Sequence, residues 1–97
     1  MNIEQEVAGG KGSFFINEDV RQVALMTFSI KDDNLLVILH TEVDDALRGK
    51  NVGSKLVTQA VNYARENNLR IRPLCTFAKA VLEKKKDFYA DVLEPAT

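Results

Sequence analysis

The sequence has one cysteine, one histidine and no long apolar run among its 97 residues. One cysteine cannot form an internal disulfide, so we expect a reducing compartment and predict a cytoplasmic location. One histidine and one cysteine also fall short of a metal-ligand cluster, so no metal site is predicted. No apolar stretch approaches the roughly 18 residues of a membrane span. The acidic start of the chain, Met1 to Glu6, lacks the basic and apolar regions of a signal peptide.

The sequence also lacks an excess of charge of one sign. Its 13 Lys and Arg against 14 Asp and Glu give a formal net charge of −1, which provides no general attraction to nucleic acid or membrane. No aromatic residues alternate with basic ones as in a base-stacking surface. We therefore expect neither nucleic acid nor membrane as a partner. Hydrophobic content of 45% and charged content of 28% are ordinary globular values, and the length predicts a single domain over residues 1–97.

The first half of the chain is predicted to be a series of strands joined by turns. Four stretches have the alternation or the β-branched and aromatic composition of strands, namely Ile3–Ala8, Ser13–Ile16, Val23–Ile30 and Leu35–Val43. The last of these is apolar on both faces over its first half, which is typical of a central strand. Three phenylalanines at strand spacing are predicted to be core residues: Phe14, Phe15 and Phe28.

The second half predicts helix, strand and helix. An apolar stripe indicates a helix from Val52 to Asn67 and comprises Val52, Leu56, Val57, Ala60, Val61 and Ala64. A short strand, Leu69–Cys75, precedes a second helix, Phe77–Lys86, with Thr76 as its cap and with Phe77, Val81 and Leu82 facing inward. A strand-helix-strand unit implies a parallel strand pair. The predicted class is α/β with a mixed sheet.

The loop between the fourth strand and the first helix has the composition of an anion site. Its two basic residues, Arg48 and Lys50, supply charge, and Gly49 and Gly53 allow close backbone approach. The first N–H groups of a helix have no intrahelical partner, and the helix dipole adds positive charge there. The loop is neither a Walker A motif, because Ser54 follows the second glycine, nor a three-glycine dinucleotide fingerprint. It predicts a site for phosphate or pyrophosphate.

Arg48-Gly49-Lys50-Asn51-Val52-Gly53 resembles the pyrophosphate loop of the GNAT superfamily of acetyl-CoA-dependent N-acetyltransferases. That pattern is Arg or Gln, two variable residues, Gly, one variable residue, then Gly or Ala. Asn51 replaces the first glycine, and asparagine is among the non-glycine residues that best tolerate positive φ. Three further segments are similar to a subgroup of small single-domain GNAT-like proteins with a cysteine after the strand beside the cofactor: 40–43, 62–67 and 73–77. The likeness spans most of residues 12–92.

The resemblance implies that the parallel strands splay apart and hold the pantetheine arm of acetyl-CoA. Pro73 cannot donate a ladder hydrogen bond and would help to open this gap. The residues predicted to bind acetyl-CoA are Val43, Arg48, Gly49, Lys50, Asn51, Val52, Gly53, Ser54 and Phe77. A basic patch fits either a solvated helix end or a contact with the CoA 3′-phosphate, and it comprises Lys79, Lys84, Lys85 and Lys86.

Three residues are the candidates for the chemistry of acetyl transfer. His40 and Glu42 share one face of a strand, so either is placed to accept the proton of an amine, directly or through water. The alternative is a solvated Glu42 and a hydrogen-bonded, structural His40. Cys75 fits a thiolate nucleophile, a thiol that protonates the leaving sulfur, or a packed apolar residue. Its place before a helix N-terminus is one that lowers a thiol pKa.

The predicted function is acetyl transfer from acetyl-CoA to an amine. Two other functions fit the same residues: a non-catalytic acyl-CoA-binding module, and a protein-interaction domain whose loop binds a phosphate of its partner. Larger GNAT enzymes have N-terminal helices that wall the acceptor site, whereas here the strands begin almost at Met1. We therefore expect the acceptor amine to belong to a protein or peptide, or a second subunit to complete the pocket.

Overall fold

The computed structural model describes residues 2–95. In chain order its elements are β1 (Glu4–Ala8), β2 (Lys11–Glu18), β3 (Arg21–Lys31), β4 (Leu35–Val43), a short 3-10 helix (Asp45–Leu47), α1 (Val52–Glu66), β5 (Arg70–Pro73) and α2 (Thr76–Lys84). The strands form one sheet in the order β1-β2-β3-β4-β5. Neighbouring strands are antiparallel except β4 and β5, which are parallel and connected through α1. This architecture confirms the predicted mixed α/β class.

Both helices contribute to one hydrophobic core on one face of the sheet. The six apolar residues predicted to form the stripe of α1 are all buried, as are Ala78 and Leu82 of α2. The sheet supplies alternate residues of its strands, because successive side chains of a strand point to opposite faces. Among them are Phe14 and Phe28, whose rings stack with centroids 4.9 Å apart. Leu35 and Val37 are also buried but lie outside this cluster, on the other face.

Two predictions about packing are wrong. Phe15 is only partly buried, because it alternates with Phe14 and points to the opposite face of β2. Phe77 is 42% exposed. The buried positions of α2 are Leu82, as predicted, and Ala78, four residues before it on the same helical face.

The ends of α2 also differ from the prediction. The N-cap residue is Cys75 rather than Thr76, since Cys75 has extended backbone angles and Thr76 is already helical. The helix ends at Lys84 and not at Lys86.

β4 is paired on both sides only over its first half. Its parallel register with β5 runs from Leu35↔Arg70 to Ile38↔Pro73 and then stops, while β4 continues to Val43 beside β3. The register with β3 shifts between Thr27 and Phe28, whose partners are His40 and Ile38, so Leu39 is the extra residue of a β-bulge. After β5 the chain enters α2, and up to residue 95 it forms no further ladder pairs with β4. The predicted splayed strand pair is therefore confirmed.

The C-terminal segment covers the outer edge of β5. The N–H of Ile71 donates to the carbonyl of Val92 at 2.6 Å, and the N–H of Glu94 donates to the carbonyl of Ile71 at 2.8 Å. Ion pairs from Arg65 to Asp91 at 2.9 Å and from Arg72 to Glu94 at 2.7 Å hold the same segment. Val92 of this segment is buried. Residues 96 and 97 lie outside the described residues.

Over the described residues, no helix is long and apolar enough to cross a membrane. No group of three or more metal-ligating side chains occurs within residues 2–95.

Candidate active site

A cavity of about 440 Å³ opens beside the second half of β4, where the pairing with β5 has ended. A volume of this order is typical of a ligand pocket. Its walls come from the end of β4, the loop that follows, the start of α1 and the start of α2. The lining residues are Thr41, Val43, Asp44, Leu47, Arg48, Gly49, Asn51, Val52, Gly53, Ser54 and Phe77. All residues predicted to bind acetyl-CoA line it except Lys50.

The backbone of the loop is shaped by two left-handed residues. Asn51 is the N-cap residue of α1 and has φ 58° and ψ 28°, and Gly49 has φ 85°. The prediction that Asn51 adopts positive φ is confirmed. The amide side chain of Asn51 makes no capping hydrogen bond. The first N–H groups of α1, at Val52 and Gly53, have no acceptor within the helix and lie at the cavity.

Gly53 is required by its contact with Phe77. A methyl group at Gly53 would lie 2.5 Å from Cζ of Phe77 and 2.7 Å from its Cε2. Gly53 is helical and does not have positive φ, so it is glycine because the aromatic ring packs directly against the first turn of α1. The contact joins the two helices at the cavity.

Two arginines set the charge of the cavity. Arg48 pairs with Asp45 at 2.7 Å, and both side chains are more than 80% exposed, so this contact is weak and easily exchanged for a ligand. Asp44 also lines the cavity, but Arg21 pairs with it at 2.7 Å. The N–H of Ala46, and then Arg21, hold the pKa of Asp44 below its usual value. Asp44 is thus neutralised, and Arg48 is the cation available to an anion.

Cys75 lies next to the cavity rather than in its lining. Its Sγ is 3.5 Å from Oγ1 of Thr41, and Thr41 and Phe77 both line the cavity. In the structure the thiol donates to the Thr41 hydroxyl. Burial raises the pKa of the thiol, but the Thr41 hydroxyl and the N–H groups of Ala78, Phe77 and Thr41, which can donate to the thiolate, outweigh burial, so the pKa is lowered. The thiol is partly buried and is the only cysteine of the chain.

His40 and Glu42 lie on the opposite face of β4 from Thr41. The register places His40 opposite Thr27 and Glu42 opposite Leu25, whereas Thr41 lies opposite the buried Met26. Nε2 of His40 is 3.5 Å from Oε1 of Glu42, and both side chains are more than half exposed. The structure therefore brings the two predicted proton acceptors together but does not bring them to Cys75.

The lysines predicted to bind phosphate are distributed unevenly. Lys50 is exposed and lies outside the cavity lining. Lys84 and Lys85 line a second depression of about 350 Å³ that shares Ser54 with the cavity. Lys79 and Lys86 lie on another surface, with Arg72 and Pro73. Only Lys84 and Lys85 therefore continue the surface of the cavity.

Sequence reasoning missed three lining residues, Thr41, Asp44 and Leu47. Alternation could have indicated Thr41, because it lies two residues before Val43 on the same strand face. Asp44 accepts the N–H of Ala46 at 2.8 Å and begins the short 3-10 helix, and Leu47 is buried at its end. Aspartate at such a position is a recognisable capping signal.

Comparison with known proteins agrees with this geometry. A family model described as GCN5-related N-acetyl-transferase matches residues 13–92. No curated protein matches the chain significantly. The solution structure of a GCN5-like candidate N-acetyltransferase from Staphylococcus aureus is 38% identical, with 99% of this chain and 92% of that one covered and a TM-score of 0.72.

Two more distant structures share the fold alone. The aminoglycoside N-acetyltransferase AAC(6')-Iy, solved with CoA, is 14% identical, with 99% and 93% of the two chains covered and a TM-score of 0.67. A ribosomal-protein-alanine N-acetyltransferase from Brucella melitensis is 17% identical, with 90% of this chain and 64% of that one covered and a TM-score of 0.59. On the match over residues 13–92, the chain belongs to the GCN5-related N-acetyltransferase family.

Proposed function

We propose that the chain binds acetyl-CoA in the cavity beside β4 and transfers its acetyl group to an amine. One observation carries the proposal: the cavity lies where β4 and β5 part, and its floor is the N-terminus of α1 behind a left-handed Asn51. Family membership supports the reaction class, and a structural neighbour was solved with CoA.

The residues of the cavity fit the pyrophosphate of CoA. Phosphate oxygens accept hydrogen bonds, and the unpaired N–H groups at Val52 and Gly53 are donors at the positive end of the helix dipole. Arg48 adds a guanidinium, which suits phosphate because it donates two parallel hydrogen bonds. Lys84 and Lys85 lie across Ser54 from this site, and we assign them to the 3′-phosphate. Val43 and Phe77 provide apolar wall for the pantetheine arm.

Acetyl-CoA supplies an activated acyl group as a thioester. In the overall reaction the carbon–sulfur bond of the thioester breaks, a carbon–nitrogen bond to the amine forms, and one proton passes from the amine to the CoA sulfur. His40 and Glu42 lie on the face of β4 opposite the cavity, so we assign to either of them the acceptance of the amine proton through water, from an amine that reaches the thioester past the open edge of β4. Cys75, on the inner side of the same strand, either accepts the acetyl group as a thiolate or protonates the leaving sulfur as a thiol.

The acceptor is an amine whose carrier the neighbours do not specify. One named neighbour is an aminoglycoside N-acetyltransferase and another a ribosomal-protein-alanine N-acetyltransferase, so proteins of this fold include more than one acceptor class. His40 and Glu42 are exposed, and neither helix lies on their face of the sheet. This open face suits a large acceptor, and we assign a protein or peptide amine as the first class to test.

Titration calorimetry with acetyl-CoA tests the binding site directly. Arg48→Ala removes a charge-assisted hydrogen bond worth about 1.5–3 kcal/mol, so affinity should fall roughly ten- to a hundredfold. Lys50→Ala is the matched control, because it removes a nearby charge outside the cavity and should change affinity less than about threefold. Gly53→Val should displace Phe77 and weaken binding further.

The activity requires a separate measurement. Free CoA thiol released in the presence of an amine panel reports turnover, and intact mass of the protein after acetyl-CoA alone reports acetylation of Cys75. Turnover by Cys75→Ala at the wild-type rate would assign direct transfer. Binding without release of CoA for any acceptor would favour the acyl-CoA-binding module. Equal affinity of wild type and Arg48→Ala would reject the loop as the pyrophosphate site.

A further inference from the structure

The contact between Thr41 and Cys75 bridges the gap between the splayed strands. The pairing of β4 with β5 ends at Ile38↔Pro73, and beyond it the N–H groups of Leu74 and Cys75 both donate to the carbonyl of Ile38, at 2.9 and 3.3 Å. Three residues further along β4, Oγ1 of Thr41 reaches Sγ of Cys75 at 3.5 Å. Cys75 therefore contacts β4 twice, through its backbone N–H at Ile38 and through its side chain at Thr41.

The hydroxyl of Thr41 is the side-chain partner of this sulfur. The pKa of the thiol is also lowered by the N–H groups of Ala78 and Phe77, in the first turn of α2, and by the N–H of Thr41 itself. The backbone donors would remain after Thr41→Val, but the hydroxyl would not. Thr41 also lines the cavity, so the same residue meets both the cavity and the thiol.

Charged side chains do not explain the lowered pKa of the Cys75 thiol. The elements around Cys75 contribute ionisable groups from β4, the following loop, α1, β5 and α2, namely His40, Glu42, Asp44, Arg48, Lys55, Arg72 and Lys79. His40 and Glu42 point to the other face of β4. Asp44, Arg48 and Arg72 are paired with Arg21, Asp45 and Glu94. Within residues 2–95 no charged side chain forms a hydrogen bond or ion pair with the thiol.

We propose that Thr41 is a positioning residue whose hydroxyl holds the sulfur of Cys75 beside the cavity and donates a hydrogen bond to the sulfur when the thiol is ionised. The purpose of this arrangement rests on the proposed acetyl transfer, but the arrangement itself does not. A hydrogen bond to the charged form of a group favours that form. Thr41 therefore increases the fraction of thiolate and fixes its direction.

Valine and serine separate the two properties of the threonine side chain. Thr41→Val keeps the shape and removes the hydroxyl, whereas Thr41→Ser keeps the hydroxyl and removes a methyl group. A purely structural role would make the two variants similar, or serine the worse. If Thr41 positions the thiol, Cys75 in Thr41→Ser should react nearly as in wild type, and Cys75 in Thr41→Val should react more slowly. Thr41→Ala gives the same comparison if the valine variant does not fold.

The test is the rate of alkylation of the single cysteine by iodoacetamide between pH 5 and 10, followed by intact mass. Losing one hydrogen bond should slow the reaction of Thr41→Val about two- to tenfold at pH 7. The midpoint of its pH–rate profile should move to higher pH. Its rate at the high-pH plateau should stay within about twofold of the wild-type rate, because access to the sulfur is unchanged. Thr41→Ser should follow the wild-type profile. Superimposed profiles for wild type and Thr41→Val, or for Thr41→Ser and Thr41→Val, would overturn the proposal.

Calorimetry with acetyl-CoA on the same samples separates this inference from the proposed function. If Thr41→Val is alkylated more slowly but wild type does not bind acetyl-CoA, the role of Thr41 stands and the proposed acetyl-CoA function is rejected. Acetyl-CoA binding with unaltered alkylation of Thr41→Val would keep the function and reject the role of Thr41.

Discussion

The two halves of β4 have different environments. Leu35 to Ile38 are all buried and paired with strands on both sides. Beyond them, Leu39 bulges out with 47% exposure, and the strand to Val43 is paired with β3 alone. Thr41 and Val43 in this second half line the cavity, and His40 and Glu42 lie on its outer side.

The difference shows how one strand serves both stability and a site. Pairing with β5 satisfies the backbone groups of the first half and buries its side chains. Where that pairing ends, the edge of β4 becomes available to a ligand, and the loop and helix that follow close the other side. The bulge at Leu39 moves the alternation by one residue, so that Thr41 rather than His40 faces inward. The part of β4 that lines the cavity therefore begins where its packing in the core ends.

The sharpest test of this comparison is the same substitution in each half. Leu36 is fully buried and Leu39 is 47% exposed. Leu36→Ala leaves a cavity in the core and should lower the free energy of unfolding by about 2–5 kcal/mol, whereas Leu39→Ala should change it by about 0.5 kcal/mol. Urea titration followed by circular dichroism measures both. Similar losses for the two variants would show that the halves do not differ in packing.

A smaller effect is expected from the loop that faces the second half. Asn51→Val places a β-branched residue at φ 58° and should strain the loop by about 1–3 kcal/mol. Asn51→Gly should be tolerated, because glycine adopts this conformation without cost. Unfolding free energy and acetyl-CoA affinity should fall together for the valine variant. If valine and glycine variants were equally stable and bound equally well, the left-handed backbone at Asn51 would be unimportant for the site.

The second depression predicts a weaker effect on binding. Lys84 and Lys85 are exposed, so each contact with a phosphate should contribute about 0.2–1 kcal/mol, or roughly up to fivefold in affinity. The double variant Lys84→Ala, Lys85→Ala should weaken CoA binding but leave binding of dephospho-CoA unchanged. Lys79→Ala, outside the depression, is the control. An equal loss for both ligands would assign the lysines to another part of CoA or to none.

The smallest effect concerns the tail that covers the outer edge of β5. Arg65 lowers the pKa of Asp91, and Arg72 lowers the pKa of Glu94. A carboxyl whose pKa is lower in the folded state contributes stability above its unfolded pKa, about 4, and this contribution is lost as pH falls through the folded value. Asp91→Asn and Glu94→Gln should therefore flatten the acid side of a plot of stability against pH. Salt should reduce the same contribution, since the pairs are exposed.

Much of the fold was predictable because it depends on local patterns. The apolar stripe of α1, the strand periods and the turn residues are repeated signals, and each agrees with the structure over most of its length. The anion loop was predictable for the same reason. Arg48 to Gly53 is a continuous segment, and its Gly49 and Asn51 are residue types that tolerate the positive φ they adopt. The α2 predictions failed at Phe77, because this short helix is apolar at five of its nine positions and its inward face stays undetermined until α1 is beside it.

The sequence by itself determined the mixed α/β class, the left-handed position at Asn51 and the anion-binding composition of the loop, since each depends on residues close together in the chain. Only the tertiary structure decided which face of β4 meets the cavity. A one-residue bulge at Leu39 inverts the alternation, and a bulge is defined by the register with β3 rather than by β4 alone. The same holds for Thr41 and Cys75, whose positions in the chain differ by 34. They meet because the parallel pairing of β4 with β5 places the segments that follow Ile38 and Pro73 side by side.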